Sequence, residues 1–368
     1  MEAEHFETVV IGGGQAGLNV GYELAKRGQP FVILDANERI GDAWRKRWDS
    51  LRLFTPAHFS RLPGLKFSAF NWSFPTKDEM ANYLEAYAAR FELPVRTGVT
   101  VDRLSKVNGR FVVSAGESRF EAENVIVATG ACQIPAIPAF AGELDPRIVQ
   151  IHSGEYRNPS QLHEGDVLLV GAGNSGAEIC VELAHSHRCI LAGPEVGEIP
   201  VQHGTLPARL GFRVYRFLMH RVVKVSNRIG RKVAATHGAD PLVRTRSKDI
   251  LAAGVERAPR VTGVEGGRPV LEDGRVLDVA NVVWCTGFRT DFSWIDLSVL
   301  DEAGSPRHIR GVVAAEPGLY FLGLDFLYSA SSSVLPGRGR DARYIAKHIA
   351  RKKREPAVLE PAQTLAAA

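Results

Sequence analysis

The sequence predicts an α/β fold with two Rossmann-like units, on three observations. Gly12-Gly13-Gly14-Gln15-Ala16-Gly17 follows an apolar run at 8–11, and Gly171-Ala172-Gly173-Asn174-Ser175-Gly176 follows another at 167–170. Each turn opens a stretch with apolar residues at helical spacing, and each such helix leads into a further apolar strand. Each half closes with a buried strand that ends on Thr-Gly, in Ala128-Thr129-Gly130 and Cys285-Thr286-Gly287. A strand, a glycine turn, a helix and a second strand make a βαβ unit of about thirty residues.

The elements follow in order. The first helix runs over 18–27 and stops at Gly28, and the strand 31–34 ends at Asp35. A helix is expected over 83–91. The segments 99–104, 111–114 and 120–121 read as a meander, followed by a buried strand at 125–127. The second unit has its strand at 167–170, its helix at 177–185 and its next strand at 189–192. Short strands come near Val261, Val270 and Val276, then buried strands at 282–284 and 319–322. A helix over 342–353 precedes a frayed tail at 355–368.

Composition bounds the function. The 368 residues are 45% hydrophobic and 23% charged, which describes a folded chain large enough for two domains and excludes disorder as its main state. Residues 1–8 are acidic and not a secretory signal, and no run of about 18 apolar residues exists to span a membrane. Cys132, Cys180, Cys189 and Cys285 are widely spaced with no C-x-x-C pair, so reduced thiols and a cytoplasmic location are expected. Charge is uneven. Residues 203–248 hold eleven Lys and Arg against the single acid Asp240, while the whole chain carries only +4. The remainder is therefore acidic, and the basic segment faces an anion or another unusual surface.

The glycine spacing has a mechanical basis. The first Gly makes the tight turn, the second lets backbone N–H groups approach a pyrophosphate, and the third lets helix and strand pack closely. The helix N-terminus then faces the phosphate charge. Asp35 stands 23 positions after Gly12, where a carboxylate accepts from ribose hydroxyls and repels a 2′-phosphate. The same offset from Gly171 reaches Pro194, so the second site lacks that device. Two dinucleotide sites in one chain point to electron transfer between FAD and NAD(P)H.

Taken in order, Gly12-x-Gly14-x-x-Gly17, Asp35, Gly41-Asp42-Ala43-Trp44, the strand into Gly130, Gly171-x-Gly173-Asn174-Ser175-Gly176 and Trp284-Cys285-Thr286-Gly287 resemble the class B flavoprotein monooxygenases over nearly the whole chain. The resemblance implies an FAD domain (residues 1–160 and 296–354) interrupted by an NAD(P)H domain (161–295) that carries a basic helical insert at about 203–250. It implies an enzyme that reduces FAD with NADPH, or alternatively NADH, and oxygenates a small organic substrate with O2 through a flavin hydroperoxide. Gly12, Gly14, Gln15, Ala16, Gly17 and Asp35 would hold FAD, with Trp44 beside its ring, Val101 at the adenine, and Thr129 and Gly130 at the pyrophosphate. Gly171, Gly173, Asn174, Ser175 and Gly176 would hold NADPH. Gly337-Arg338-Gly339-Arg340-Asp341 resembles the final turn into a helix facing the flavin. Three features depart from the family: Gly193-Pro194 stands where relatives carry Gly-Arg, Leu53-Phe54-Thr55 lacks the family Asn, and the Phe140-x-Gly142 to His152 gap is long.

Other readings compete. The same cofactors would serve an FAD-dependent reductase or oxidase that does not oxygenate its acceptor. A flavoprotein docked to a membrane or partner through its basic helices is a third. The segment 208–235 alternates apolar and basic residues, which suits surface helices on the second domain or peripheral membrane contact. It carries no nucleic-acid module. Cys132 and Cys285 are expected to be buried packing residues, His152 either a cofactor gate or a linker histidine, and the eleven His show no metal-ligand spacing. The substrate and the oligomeric state are left open.

Overall fold

The computed structural model describes residues 3–199, 211, 213–214, 217–235, 241–332 and 335–352. The expected tail at 355–368 and part of the basic insert lie outside the described residues. Two sheets organise the chain. The first has strands β1 (Glu4–Ile11), β2 (Phe31–Leu34), β3 (Val95–Arg96), β4 (Arg103–Val107), β5 (Arg110–Ala115) and β6 (Ser118–Val127) in the order β3-β2-β1-β6-β5-β4. Its helices are α1 (Gln15–Ala25), α2 (Asp42–Arg45), α3 (Ala57–Ser60) and α4 (Lys77–Arg90). After β7 (Ile134–Pro135), the second sheet collects β8 (Val149–His152), β9 (Val167–Val170), β10 (Cys189–Ala192), β11 (Glu256–Ala258) and β14 (Asn281–Trp284) in the order β11-β10-β9-β14-β8. Between its strands the chain forms α5 (Asn174–Leu183), α6 (Arg228–Ala235), α7 (Ser247–Ala252) and the ribbon of β12 (Val261–Glu265) and β13 (Arg268–Leu271). β15 (Phe288–Arg289) pairs antiparallel with β7 at the crossing between the sheets. The chain then returns to the first sheet through β16 (Leu319–Phe321) and ends in α8 (Leu335–Lys352).

The central strands are apolar because both faces are covered. Val9, Val10, Val167, Leu168 and Leu169 are fully buried, as expected for parallel strands under helices. α8 packs along α1, with Leu18, Ala342, Ile345 and Ala346 in one cluster. Gly21 lets α1 approach the sheet, since a Cβ there would stand 2.8 Å from Ile33.

The structure changes several expected elements. The segments 120–121 and 125–127 are one strand, β6, that exchanges partners. Its lower half pairs antiparallel with β5, and its upper half pairs parallel with β16. Residues 99–102 are loop. The helix expected from Tyr83 begins at Lys77 because Thr76 and Glu79 form a capping box. The helix expected from Ala342 begins at Leu335, so Gly337 to Asp341 lie inside its first two turns. β8 joins the second sheet ahead of the expected junction at residue 160. Its four residues, Val-Gln-Ile-His, carry too little pattern to reveal a strand whose partner, β14, lies far along the chain.

From its sequence the basic insert suits helices on the second domain or peripheral membrane contact. Its described part instead reaches the segment ahead of α8: Val225 N–H donates to the Tyr328 carbonyl at 3.0 Å, and Ala330 N–H donates to the Val223 carbonyl at 3.1 Å. The Arg213 guanidinium lies 5.5 Å from the centre of the Trp72 ring. Among the described residues no helix is long and apolar enough to cross a membrane, and no cluster of His, Cys, Asp and Glu could hold a metal.

Candidate functional site: two matched glycine turns

The two turns are built alike. Gly12 has φ +109°, and a Cβ there would stand 2.6 Å from the Ala128 carbonyl oxygen; Gly171 has φ +111°, and its Cβ would stand 2.3 Å from the Cys285 oxygen. A Cβ on Gly17 or Gly176 would fall 1.9 Å from the carbonyl oxygen of Gly12 or Gly171. A Cβ on Gly14 or Gly173 meets nothing within 4 Å. The outer glycines are thus required by the protein itself, while the middle ones face open space.

That open space has the character of an anion site. Gly14 and Gly173 are helix N-caps that offer no side-chain acceptor, and neither α1 nor α5 has an acid in its first turn. The leading N–H groups and the positive end of each helix dipole are left for a ligand. Thr129-Gly130 and Thr286-Gly287 close the two cradles with matching glycine conformations, φ +78° and +81°. Ala128 N–H donates to Ile11 O, and Cys285 N–H to Val170 O, both at 2.8 Å.

Side chains complete the first cradle. Gln15 receives the Trp44 indole N–H at 3.3 Å, which fixes Trp44 beside the start of α1. Asp35, 9% exposed, accepts from Gly13 N–H at 2.5 Å and from Asn37 N–H at 2.8 Å. Its carboxylate therefore already braces the turn, with acceptor capacity remaining for hydroxyls. Val99 N–H donates to the Asp35 carbonyl, which brings the loop holding half-buried Val101 alongside. Asp341 is 3% exposed; Arg340 donates to its Oδ1 at 3.1 Å, and its Oδ2 is buried with no partner among the described residues, as is Oδ1 of Asn19 on α1. Such orphaned groups in a buried polar site fit a bound polar ligand. Arg338 was not singled out from the sequence beyond its segment. Burial lowers its guanidinium to about 10, partly offset by Cys132 and Asp325 facing it, so it remains a cation.

In the second cradle Asn174 serves the protein. Its amide donates to the Pro241 carbonyl at 3.1 Å and accepts from Val243 N–H at 2.9 Å, so it clamps the loop 241–243 over the turn. Arg244 follows directly, donating to the Arg52 carbonyl at 3.0 Å and lying 3.4 Å from Glu178. Burial pushes the Glu178 carboxyl up to about 7, only partly offset by Arg244. Glu182, one turn further along α5, accepts from Ser50 and from the Tyr156 hydroxyl. The segment after Trp44 is thereby tied to the helix of the second turn. Ser175 is half-buried at the start of that helix.

The offset to Pro194 is corrected by register. Gly12 N–H donates to Leu34 O, and Gly171 N–H donates to Ala192 O, so the residue matching Asp35 is Gly193. α5 is one residue shorter than α1. The absence of a carboxylate at that strand end stands. Cys132 is exposed, against the expected burial, while burial pushes the Cys180 and Cys189 thiols up to about 12 and raises Cys285 as well. The three raised thiols are poor nucleophiles. Leu53 is core, and Phe54 is 41% exposed.

His152 is a brace between strand ends. Gly154 N–H donates to Nδ1 at 3.1 Å, and Nε2 lies 2.9 Å from the Gly287 carbonyl, which it serves as donor in the neutral tautomer. Burial holds its pKa below the ordinary 6.5. A histidine with a depressed folded pKa contributes stability above its unfolded value and loses it as pH falls. Thermal unfolding should therefore show a midpoint that drops below about pH 6.5. His152→Ala should lower the midpoint at pH 8 and flatten part of that acid slope. An unchanged slope would place the acid sensitivity elsewhere, with half-buried His308 the next candidate.

Comparison with known proteins agrees with this architecture. Residues 9–192 match the pyridine nucleotide-disulphide oxidoreductase family. A CzcO-like oxidoreductase of Geobacillus kaustophilus is 40% identical over 93% of this chain and 98% of its own length. The probable indole-3-pyruvate monooxygenase YUCCA3 of Arabidopsis thaliana is 26% identical over 94% of this chain and 87% of its own. Among solved structures, a flavin-containing monooxygenase from Stenotrophomonas maltophilia superimposes with a TM-score of 0.77 at 28% identity, covering 95% of this chain and 99% of that one.

Proposed function

The chain belongs to the pyridine nucleotide-disulphide oxidoreductase family, and from that premise we propose how its two cradles divide one reaction. The protein is an FAD-dependent monooxygenase that takes electrons from NADPH and oxygenates a small organic substrate with O2, a reading supported by its similarity to proteins named as a flavin-containing monooxygenase and a probable indole-3-pyruvate monooxygenase. The observation that carries the reading is the duplicated cradle: two uncapped helix starts behind open middle glycines, joined through residues 49–52. Dithiol chemistry has no support, because the chain has no C-x-x-C and three of its four thiols, two buried and one partly buried, have raised pKa values.

In this reading Gly12 to Gly17 and Asp35 hold FAD, with Thr129, Gly130 and Asp341 closing its site. Gly171 to Gly176 hold the nicotinamide coenzyme. When bound, NADPH supplies a hydride and FAD supplies the centre that accepts it and passes electrons to O2. The protein binds and orients. The α1 and α5 N-termini neutralise the two pyrophosphates, Trp44 is fixed by Gln15, and Asn174 holds the loop 241–243 across the second turn. The unpaired, widely spaced thiols support a cytoplasmic location.

The test is anaerobic reduction followed by oxygen. NADPH should reduce the bound flavin, and faster than NADH by a modest factor. With 18O2 and a panel of sulfides, amines and ketones, one labelled oxygen atom should appear in product and the other in water. Without substrate, some hydrogen peroxide release is expected, since the segment Leu53-Phe54-Thr55 offers no side-chain amide. If every compound leaves all electrons in hydrogen peroxide, the enzyme is an oxidase.

A further inference from the structure

The two units can be aligned strand by strand. Leu34 pairs with Ile11 and Arg96 in the first sheet, and Ala192 pairs with Val170 and Ala258 in the second. Asp35 N–H donates to the Arg96 carbonyl, and Gly193 N–H donates to the Ala258 carbonyl. Gly193 thus holds the place of Asp35, with φ +139°, and a Cβ on it would stand 3.2 Å from Ala172 N in the turn. By the same alignment Arg257 of β11 holds the place of Val95 of β3.

That substitution reverses the local charge. The Arg257 guanidinium reaches the Gly193 carbonyl at 3.4 Å, a long contact that nevertheless sets it at the strand end. Where the first unit presents a carboxylate, the second presents a cation delivered from the neighbouring strand. A cavity opens there, lined by Ala172 of the turn together with Glu195, Val196, Ser247, Leu251 and Arg257. A guanidinium matches the geometry of a phosphate monoester, whereas a carboxylate accepts from a free ribose hydroxyl and repels a phosphate. Both kinds of group line this cavity.

We propose that Arg257 selects the phosphorylated coenzyme by pairing with its 2′-phosphate, and that Glu195 across the same cavity limits the preference by favouring a free 2′-hydroxyl. The inference rests on the reading of the second turn as the pyridine-nucleotide site. It gives a chain with Gly193-Pro194 at the strand end a means to discriminate, and it predicts that the preference is modest.

Calorimetric titration of the FAD-loaded protein with 2′,5′-ADP and with 5′-AMP separates the two ideas. Wild type should bind 2′,5′-ADP more tightly. Arg257→Ala, at an exposed position, should weaken 2′,5′-ADP by about tenfold, the scale of one charge-assisted contact in a solvated site, and leave 5′-AMP unchanged. Glu195→Gln should tighten 2′,5′-ADP and weaken 5′-AMP. Equal binding of both ligands by wild type, or equal losses for both in Arg257→Ala, overturns the role of Arg257 and leaves the nucleotide site standing. Failure of wild type to bind 2′,5′-ADP, 5′-AMP or NADP+ removes the nucleotide site and the inference together.

Discussion

Gly14→Val is expected to purify folded and colourless. A Cβ at this position touches nothing within 4 Å, and its backbone at φ −73°, ψ −171° is extended and suits a β-branched residue. The change should cost the protein about 1 kcal/mol at most, the scale of an altered N-cap. The new side chain instead occupies the space in front of the α1 N-terminus, where the pyrophosphate would approach. Circular dichroism should be native and bound flavin absent. Gly17→Ala is the contrasting control. Its Cβ would lie 1.9 Å from the Gly12 carbonyl oxygen, so helix and turn must separate, and it should lose about 1–3 kcal/mol of stability as overpacking does. A yellow Gly14→Val protein with full flavin would remove FAD from the first cradle.

Gly173→Val should separate the two half-reactions. It is the matching open N-cap of the second unit, again with no atom within 4 Å of an added Cβ. The protein should purify yellow and be reduced normally by dithionite. NADP+ binding should fall about 100-fold, the loss of two charge-assisted hydrogen bonds at about 1.5 kcal/mol each. Reduction by NADPH at subsaturating concentration should slow in proportion. Normal reduction kinetics with NADPH would show that the nicotinamide coenzyme does not use this turn. A variant that loses flavin instead would show that the two cradles are exchanged.

Which features were legible follows from how local their causes are. The glycine turns and the strands at 31–34, 167–170 and 189–192 rest on interactions within one βαβ unit, the Thr-Gly strand ends follow short apolar runs of their own, and each appears where the sequence places it. α4 and α8 begin earlier than the apolar periodicity suggests, α4 because its start is set by a capping pair and not by apolar spacing. β8 was invisible because a short edge strand is defined by its partner. His152 read equally well as gate or linker until both ring nitrogens were seen to be engaged by backbone.

Glycine spacing and strand length act over a few residues, so the order of amino acids already places two matching glycine turns in this protein and a strand-end carboxylate after only the first. Tertiary structure decided what fills the corresponding place in the second. Gly193, not Pro194, stands there, because register counts hydrogen bonds across strands and α5 is one residue shorter than α1. Arg257 reaches it from 64 residues away in the chain. Asn174 likewise reads as a ligand group in the motif and becomes a clamp only when the loop 241–243 folds over it. Pairings between distant segments depend on the packing of whole sheets, and no local pattern of residues records them.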